Sequence, residues 1–204
     1  MKKILILDFD GTIIDSNFIK KNLIIRYIKN TYQLNIFSIV DKFKFKNLTR
    51  YELMHLAKQS WISLKEKKDI DEIINSQVSK ATLDPFLFTL YKYCSRLKIK
   101  IYLVSNTPHE SLKTIIDNLE ITHYFYKIIG KKDNLSKSTI FSQIIRDEYV
   151  TPLNILSVGD NIQDYFASKK NLIPFHGIFD KSLIDISNTI PISSSLKGII
   201  KSLN

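Results

Sequence analysis

Cysteine is nearly absent from this chain of 204 residues, and no apolar run is long enough to cross a bilayer. The single cysteine, Cys94, excludes an internal disulfide framework and any zinc site built from several cysteines. With 44% hydrophobic and 25% charged residues, the composition is that of a globular protein with a substantial core. We therefore expect a cytoplasmic protein without a membrane segment, and we expect it to be a monomer.

Arginine is also scarce, so the net charge of +10 is carried almost wholly by lysine. The lysines are scattered, with neither a long basic block nor the glycine-rich aromatic signature of RNA-binding domains. This pattern disfavours a nucleic-acid partner. The excess positive charge is instead expected to attract an anionic substrate.

A strand that ends in two acids is the most informative segment of the chain. The run Ile4–Leu7 is continuously apolar, as expected for a strand covered on both faces of a parallel sheet, and Asp8 and Asp10 follow it. Because an unpaired buried charge is costly, two acids at this place indicate a bound cation, a shared proton or both. They are candidates for metal-assisted nucleophilic chemistry, although Asp-x-Asp-Gly also occurs in solvated turns.

Four further apolar segments alternate with helical patterns, which predicts a parallel, doubly wound α/β sheet. Strands are expected at residues 99–104, 124–129, 155–158 and 173–178, and helices at about residues 85–97, 108–119, 138–147 and 163–169. Functional groups of such a sheet gather at the C-terminal ends of its strands. The tail beyond residue 179 has no predicted function and is expected to form a loop and a short helix.

The connection between the first two predicted strands is too long for one crossover, which needs about 20 to 30 residues. The surplus, residues 16–83, has helical patterns, one of which begins with the capping-box sequence at Thr49. We therefore predict a small all-helical cap of residues 16–83, inserted into a Rossmann-like catalytic core of residues 1–15 and 84–204.

Polar residues also follow the second predicted strand. Ser105, Asn106 and Thr107 stand before Pro108, which is predicted to open the next helix. A hydroxyl group and free amides at a helix start suit a phosphate group. Taken alone, these residues are better explained by an ordinary helix cap.

A third strand end adds two more acids. Asp160 follows the strand predicted at residues 155–158 and would face Asp8, and Asp164 begins the next helix, where an acid is favourable in any case. Lys137 precedes an amphipathic helix and could balance these acids. Two other lysines compete for that role, Lys131 and Lys132.

These segments, in this order, resemble the motifs of the haloacid dehalogenase superfamily of phosphohydrolases. The motifs are Asp8-Phe9-Asp10-Gly11-Thr12, Val104-Ser105-Asn106, Lys137, and Gly159-Asp160-x-x-x-Asp164. The first and last are most similar to the phosphoglycolate-phosphatase and β-phosphoglucomutase branch, in which a helical cap follows the first motif. The family's third motif often reads Lys-Pro, whereas Lys137 is followed by Ser138.

The resemblance implies a Mg²⁺-dependent phosphatase that hydrolyses a small phosphorylated metabolite through an aspartyl phosphate. Asp8 would be the nucleophile, and Asp10 would protonate the leaving alcohol and then deprotonate water. Mg²⁺ would be bound by Asp8, the main-chain carbonyl of Asp10, and Asp160, with Asp164 orienting the groups around the metal. Lys137 would stabilise the charge shared between nucleophile and phosphate.

The same resemblance implies a phosphate site. Ser105 and the Asn106 amide would hold the phosphoryl oxygens together with Gly11 and Thr12, and Gly11 would allow the turn after the nucleophile. In the cap, Arg50 is the best candidate for a contact with an anionic part of the substrate. A solvated residue at a helix start is an equally good interpretation of Arg50.

Three alternatives stay open at this point. They are a phosphomutase of the β-phosphoglucomutase type, a nucleic-acid 3′-end phosphatase, and a non-enzymatic basic protein that binds nucleic acid. The acidic strand ends disfavour the last of these, because they would repel a polyanion unless metal were bound. A helical cap favours a small substrate, because it can close over the substrate and exclude water.

Overall fold

A computed structural model describes residues 2–34, 50–132 and 135–203 of the chain. Its contacts divide the chain into two units: the core unit, Met1–Asp15 and Ala81–Asn204, and the helical unit, Ser16–Lys80. Within the described ranges, none of the helices combines the length and the apolar character that a bilayer crossing needs.

The described part of the helical unit contains α1 (Asn17–Tyr32), α2 (Arg50–Lys58) and α3 (Leu64–Val78). A capping box starts α3: Glu66 N donates to Ser63 Oγ at 3.2 Å, and Ser63 N donates to Glu66 Oε2 at 2.8 Å. The cap predicted at Thr49 lies outside the described residues. The helices bury apolar side chains at helical spacing, namely Ile24, Ile28, Leu53, Met54, Ala57, Ile70, Ile74 and Val78.

The core unit is built on a parallel six-stranded sheet with the strand order β3-β2-β1-β4-β5-β6. This sheet, flanked by helices, confirms the predicted α/β class. The strands are β1 (Ile4–Leu7), β2 (Lys100–Pro108), β3 (Lys127–Lys131), β4 (Ile155–Gly159), β5 (Phe175–Ile178) and β6 (Ile192–Ser193). The connecting α-helices are α4 (Leu87–Arg96), α5 (His109–Asn118), α6 (Lys137–Asp147) and α7 (Ile162–Lys170).

The central strand β1 is covered on both faces. Ile4 and Ile6 belong to an apolar cluster that includes residues of α6 and α7. Leu5 and Leu7 point to the opposite face, because side chains alternate along a strand, and they too are fully buried. This double burial explains why the run is continuously apolar, and it confines the polar chemistry of β1 to the residues that follow it.

The end of β2 differs from the prediction. The strand continues through Ser105, Asn106 and Thr107 to Pro108, with an irregular register after Val104, and α5 begins only at His109. These residues therefore lie on an extended strand end and not at a helix start. Proline restricts the preceding residue to extended backbone, which delays the helix.

Two other segments also differ from the prediction. The strand predicted at residues 124–129 begins only at Lys127. Tyr124 instead ends a 3₁₀ turn, Thr122–Tyr124, and its ring stacks on Tyr91 with the ring centroids 4.6 Å apart. The tail supplies β6 where a loop was expected, and the 3₁₀ helix Leu196–Ser202 lies where the short helix was expected. The imidazole of His176 holds this tail through Nδ1 to Ser202 Oγ at 2.8 Å and Nε2 to Ser193 Oγ at 3.0 Å.

Candidate active site

Three carboxylates meet at the C-terminal ends of β1 and β4. Asp8 follows β1, Asp160 follows β4, and Asp164 lies in the first turn of α7. The parallel pairing of the two strands brings the first two together, and Asp8 N donates to Val158 O at 2.9 Å. One oxygen from each carboxylate lies within 4.8 Å of the others, and all three residues are buried.

Lys137, the first residue of α6, supplies a cation to this cluster. Its Nζ donates to Asp8 Oδ1 at 2.7 Å and to Asp164 Oδ1 at 2.5 Å, and only 8% of its side chain is exposed. Burial alone would lower the pKa of Lys137, but the two carboxylates raise it above its ordinary value. Among the three competing lysines, Lys137 is therefore the one that contacts Asp8.

One lysine does not balance three buried carboxylates. Burial raises the pKa of Asp160 to about 8, and the charges of Asp8 and Asp164 act in the same direction. Burial also raises the pKa of Asp8 to about 7; Lys137 opposes this shift, and the charges of Asp164 and Asp10 reinforce it. The cluster thus favours protons or a further cation, and three hard oxygen ligands at this spacing fit a divalent cation.

Gly159 and the start of α7 hold Asp164 in place. A Cβ atom at Gly159 would lie 2.5 Å from Asp164 Oδ2, so a larger residue would displace this carboxylate. Asn161 N donates to Asp164 Oδ2 at 3.2 Å within a capping box. Asp164 therefore caps its own helix with one oxygen and holds Lys137 with the other.

Asp10 is oriented toward the end of β2. Its Oδ2 accepts a hydrogen bond from Thr107 Oγ1 at 2.7 Å. Gly11 has a φ of 73°, which glycine adopts readily, and its N–H donates to Ile14 O at 2.8 Å. Thr12 is buried, and its Oγ1 has no hydrogen-bond partner among the described residues.

The predicted phosphate-binding residues of β2 have different environments. Ser105 is buried, and its Oγ accepts a hydrogen bond from Thr107 N at 3.0 Å. Asn106 is exposed and lines a cavity of about 450 Å³ together with Lys137, a size that suits a small metabolite. The cavity lining also includes Lys131, Gln163, Phe166 and Lys170.

Arg50 is paired within the helical unit. Its Nη1 donates to Asp71 Oδ1 at 2.8 Å, and Tyr51 Oη donates to Asp71 Oδ2 at 2.5 Å. Only 10% of the Arg50 side chain is exposed. The ion pair joins α2 to α3, and a substrate contact by Arg50 stays a prediction.

Thr107 is the residue that sequence reasoning missed. Its position beside Ser105 and Asn106 was noted, but no role followed from it. The only signal was a hydroxyl group at a strand end, which is common. The contact with Asp10 arises because β1 and β2 are paired, and it joins residues 97 positions apart.

Comparison with models of protein families identifies one family. Residues 5–178 match the family model described as haloacid dehalogenase-like hydrolase. None of the curated proteins matches the chain.

Solved structures share the fold at low sequence identity. A haloacid dehalogenase hydrolase of family IA, variant 3, from Entamoeba histolytica has a TM-score of 0.81 at 14% identity, covering 100% of this chain and 99% of that one. A candidate β-phosphoglucomutase from Thermotoga maritima has a TM-score of 0.76 at 17% identity, covering 100% and 98%. CbbY from Rhodobacter sphaeroides, in a mutant form bound to xylulose 1,5-bisphosphate, has a TM-score of 0.69 at 12% identity, covering 97% and 99%.

Proposed function

Because the chain belongs to the haloacid dehalogenase-like hydrolase family, we propose that it is a Mg²⁺-dependent phosphatase acting on a small phosphorylated metabolite. The observation that carries the proposal is the buried contact of Asp8 with Lys137, beside Asp160 and Asp164. A carboxylate held by a lysine next to a cation site is equipped to attack a phosphorus atom. The bisphosphate bound to CbbY supports a small phosphorylated substrate.

The proposed reaction has two displacements. A carboxylate oxygen of Asp8 forms a bond to phosphorus, the bond from phosphorus to the leaving oxygen breaks, and Asp10 gives that oxygen its proton. Asp10 then removes a proton from water, whose oxygen attacks the phosphorus of the aspartyl phosphate. This second displacement releases inorganic phosphate and restores the Asp8 carboxylate.

Each charged group of the cluster is proposed to have its own electrostatic role. Mg²⁺ held by Asp8, Asp160 and the main-chain carbonyl of Asp10 would reduce the repulsion between the nucleophile and the anionic phosphate. Lys137 lies against Asp8 and stabilises the charge that builds up there in the transition state. Asp164 orients Lys137 through its 2.5 Å contact.

Three residues are proposed to bind the phosphoryl oxygens. Ser105 Oγ already accepts the N–H of Thr107, so its own proton can be donated to a phosphoryl oxygen. Thr12 Oγ1, a buried hydroxyl without a partner among the described residues, would gain one in the same way. The main-chain N–H group of Asn106 would complete the site, whereas the N–H group of Gly11 already donates to Ile14 O at 2.8 Å.

The proposal predicts Mg²⁺-dependent release of inorganic phosphate from members of a panel of phosphorylated metabolites, and its loss in EDTA. Glucose 1-phosphate in the panel separates the mutase alternative, because a mutase would yield glucose 6-phosphate. A 3′-phosphorylated oligonucleotide tests the end-phosphatase alternative. Tight binding of DNA or RNA in EDTA, with no phosphate released from any compound, would overturn the proposal.

Mg²⁺ alone should stabilise the folded protein, because it binds the native acidic cluster and not the unfolded chain. At a concentration 100 times its Kd, stabilisation of about 2.7 kcal/mol is expected, which raises Tm by roughly 5–10 °C. The Asp160→Asn variant should lose most of this increase, whereas the exposed control Asp147→Asn should keep it. Differential scanning fluorimetry with and without Mg²⁺ measures both. If Mg²⁺ raised the Tm of Asp160→Asn as much as that of wild type, Asp160 would not be a ligand of the metal.

A further inference from the structure

We propose that Thr107 is a positioning residue that fixes which oxygen of Asp10 exchanges protons with the substrate. The inference rests on the proposed phosphatase function and adds a residue to it. Thr107 is 4% exposed, and its hydroxyl donates to Asp10 Oδ2 at 2.7 Å. A contact this short between a buried hydroxyl and a carboxylate restricts rotation of the carboxyl group.

The main chain of Asp10 is already fixed by its neighbours. Gly11 N donates to Ile14 O, and Asp10 forms an isolated parallel bridge with Ile14. The orientation of the Asp10 carboxyl group can then change only by rotation of its side chain. Thr107, which lies on a different strand, β2, restrains that rotation.

The chemistry of the contact distinguishes the two carboxyl oxygens. The Thr107 hydroxyl has one proton and gives it to Oδ2 of Asp10. This donation suits both the ionised and the protonated carboxyl, provided that the acidic proton resides on Oδ1. Protonation on Oδ2 would instead require the hydroxyl to turn and accept. Oδ1 is therefore the oxygen that protonates the leaving alcohol and later accepts the proton of water.

Thr107 also connects this proton site to the proposed phosphate site. Its main-chain N–H donates to Ser105 Oγ at 3.0 Å, while its side chain holds Asp10. The extended backbone before Pro108 presents both groups of Thr107 in one orientation. Thr107 thus fixes the position of the Asp10 carboxyl group relative to the Ser105 hydroxyl, which is proposed to bind the phosphoryl group.

A pair of variants isolates the hydroxyl of Thr107. Thr107→Val keeps the shape and removes the donor, and Thr107→Ser keeps the donor. For the best alkyl phosphate among 2-phosphoglycolate, glycerol 3-phosphate and glucose 6-phosphate, Thr107→Val should lower kcat/KM about 10- to 100-fold, because alkoxide leaving groups need the proton. For p-nitrophenyl phosphate the loss in kcat/KM should stay within about threefold, because kcat/KM reports only the first displacement and nitrophenolate leaves without protonation. Thr107→Ser should stay close to wild type on both esters.

A double variant tests whether Thr107 acts through Asp10. Asp10→Asn alone should reproduce the selective loss on the alkyl phosphate, and adding Thr107→Val should cause little further loss. Thermal melting shows whether each variant is folded. An equal loss on both esters, or none on either, overturns the positioning role while the phosphatase function stands. If wild-type enzyme releases phosphate from neither ester class, the proposed function itself fails.

Discussion

Replacement of Asp8 by Asn is expected to lower kcat by at least about 10⁴-fold, because it removes the proposed nucleophile of covalent catalysis. The expected loss covers alkyl phosphates and p-nitrophenyl phosphate alike, since no leaving group can compensate for a missing attacking oxygen. This uniform loss distinguishes Asp8 from Asp10, whose removal should spare kcat/KM for p-nitrophenyl phosphate, because that constant reports only the first displacement. Steady-state phosphate release from both esters, with Asp15→Asn as an exposed control from the same segment, measures the difference.

The fold should tolerate this change at Asp8. The Asn side chain has nearly the same volume, and its amide oxygen can still accept the hydrogen bond from Lys137. Burial raises the pKa of Asp8 to about 7, so the neutral amide removes a carboxylate whose ionised form the site disfavours without metal. In EDTA, the Tm of Asp8→Asn should equal or exceed that of wild type.

Two outcomes would contradict the covalent mechanism. One is near-wild-type hydrolysis of p-nitrophenyl phosphate by Asp8→Asn. The other is acid-quenched wild-type enzyme that never carries radioactive phosphate from a labelled substrate, although turnover is rapid. A variant that is inactive and also unfolded in EDTA would show that Asp8 is required for structure, against the argument from its raised pKa.

The acidic strand ends could be predicted because their signal in the sequence is local. A strand such as Ile4–Leu7 can be recognised from the sequence, because it is continuously apolar when both of its faces are buried. Acids that follow such strands are placed at one sheet edge by parallel pairing alone. Asp8 and Asp160 accordingly lie together, as the sequence predicts.

Spacing alone leaves three lysines open, and the choice of Lys137 rests on the family resemblance. Lys131 ends β3, Lys132 follows it and Lys137 begins α6, and a lysine is usually exposed. Burial of Lys137 depends on where α6 begins, which Ser136 sets by accepting a hydrogen bond from Thr139 N at 3.1 Å. Only that helix start brings Lys137 to Asp8.

The Thr107 contact and the tail were beyond sequence reasoning for different reasons. Thr107 meets Asp10 across two paired strands, and neither residue carries a local sign of the other. The tail contributes only Ile192–Ser193 to the sheet, which is too short for a periodic pattern. The family match ends at residue 178, so the tail is outside the resemblance as well.

Replacement of Lys137 by Met should lower kcat about 10²- to 10³-fold, because it removes a buried charge aimed at the nucleophile. Methionine fills a similar space without the ammonium group. The matched control is Lys132→Met, which changes an exposed lysine outside the lining of the cavity and should stay within about threefold of wild type. The same comparison with Lys131→Met, at an exposed lysine that lines the cavity together with Lys137, identifies the lysine of the third motif. Full activity in Lys137→Met, together with loss in either control, would move the role to the other lysine.

Stability gives the Lys137 prediction a second readout that does not depend on turnover. Lys137 opposes the upward shift of the Asp8 pKa, so its removal raises that pKa further above the unfolded value. A carboxyl with a raised pKa in the folded state loses stability as pH rises from the unfolded pKa through the folded one. In EDTA, the Tm deficit of Lys137→Met relative to wild type should therefore grow above about pH 7, because there Asp8 of the wild type is already ionised and no longer loses stability, whereas Asp8 of the variant is still protonated. A deficit independent of pH would indicate lost packing alone, and Mg²⁺ should reduce the deficit at pH 8, because a second cation then balances the same carboxylates.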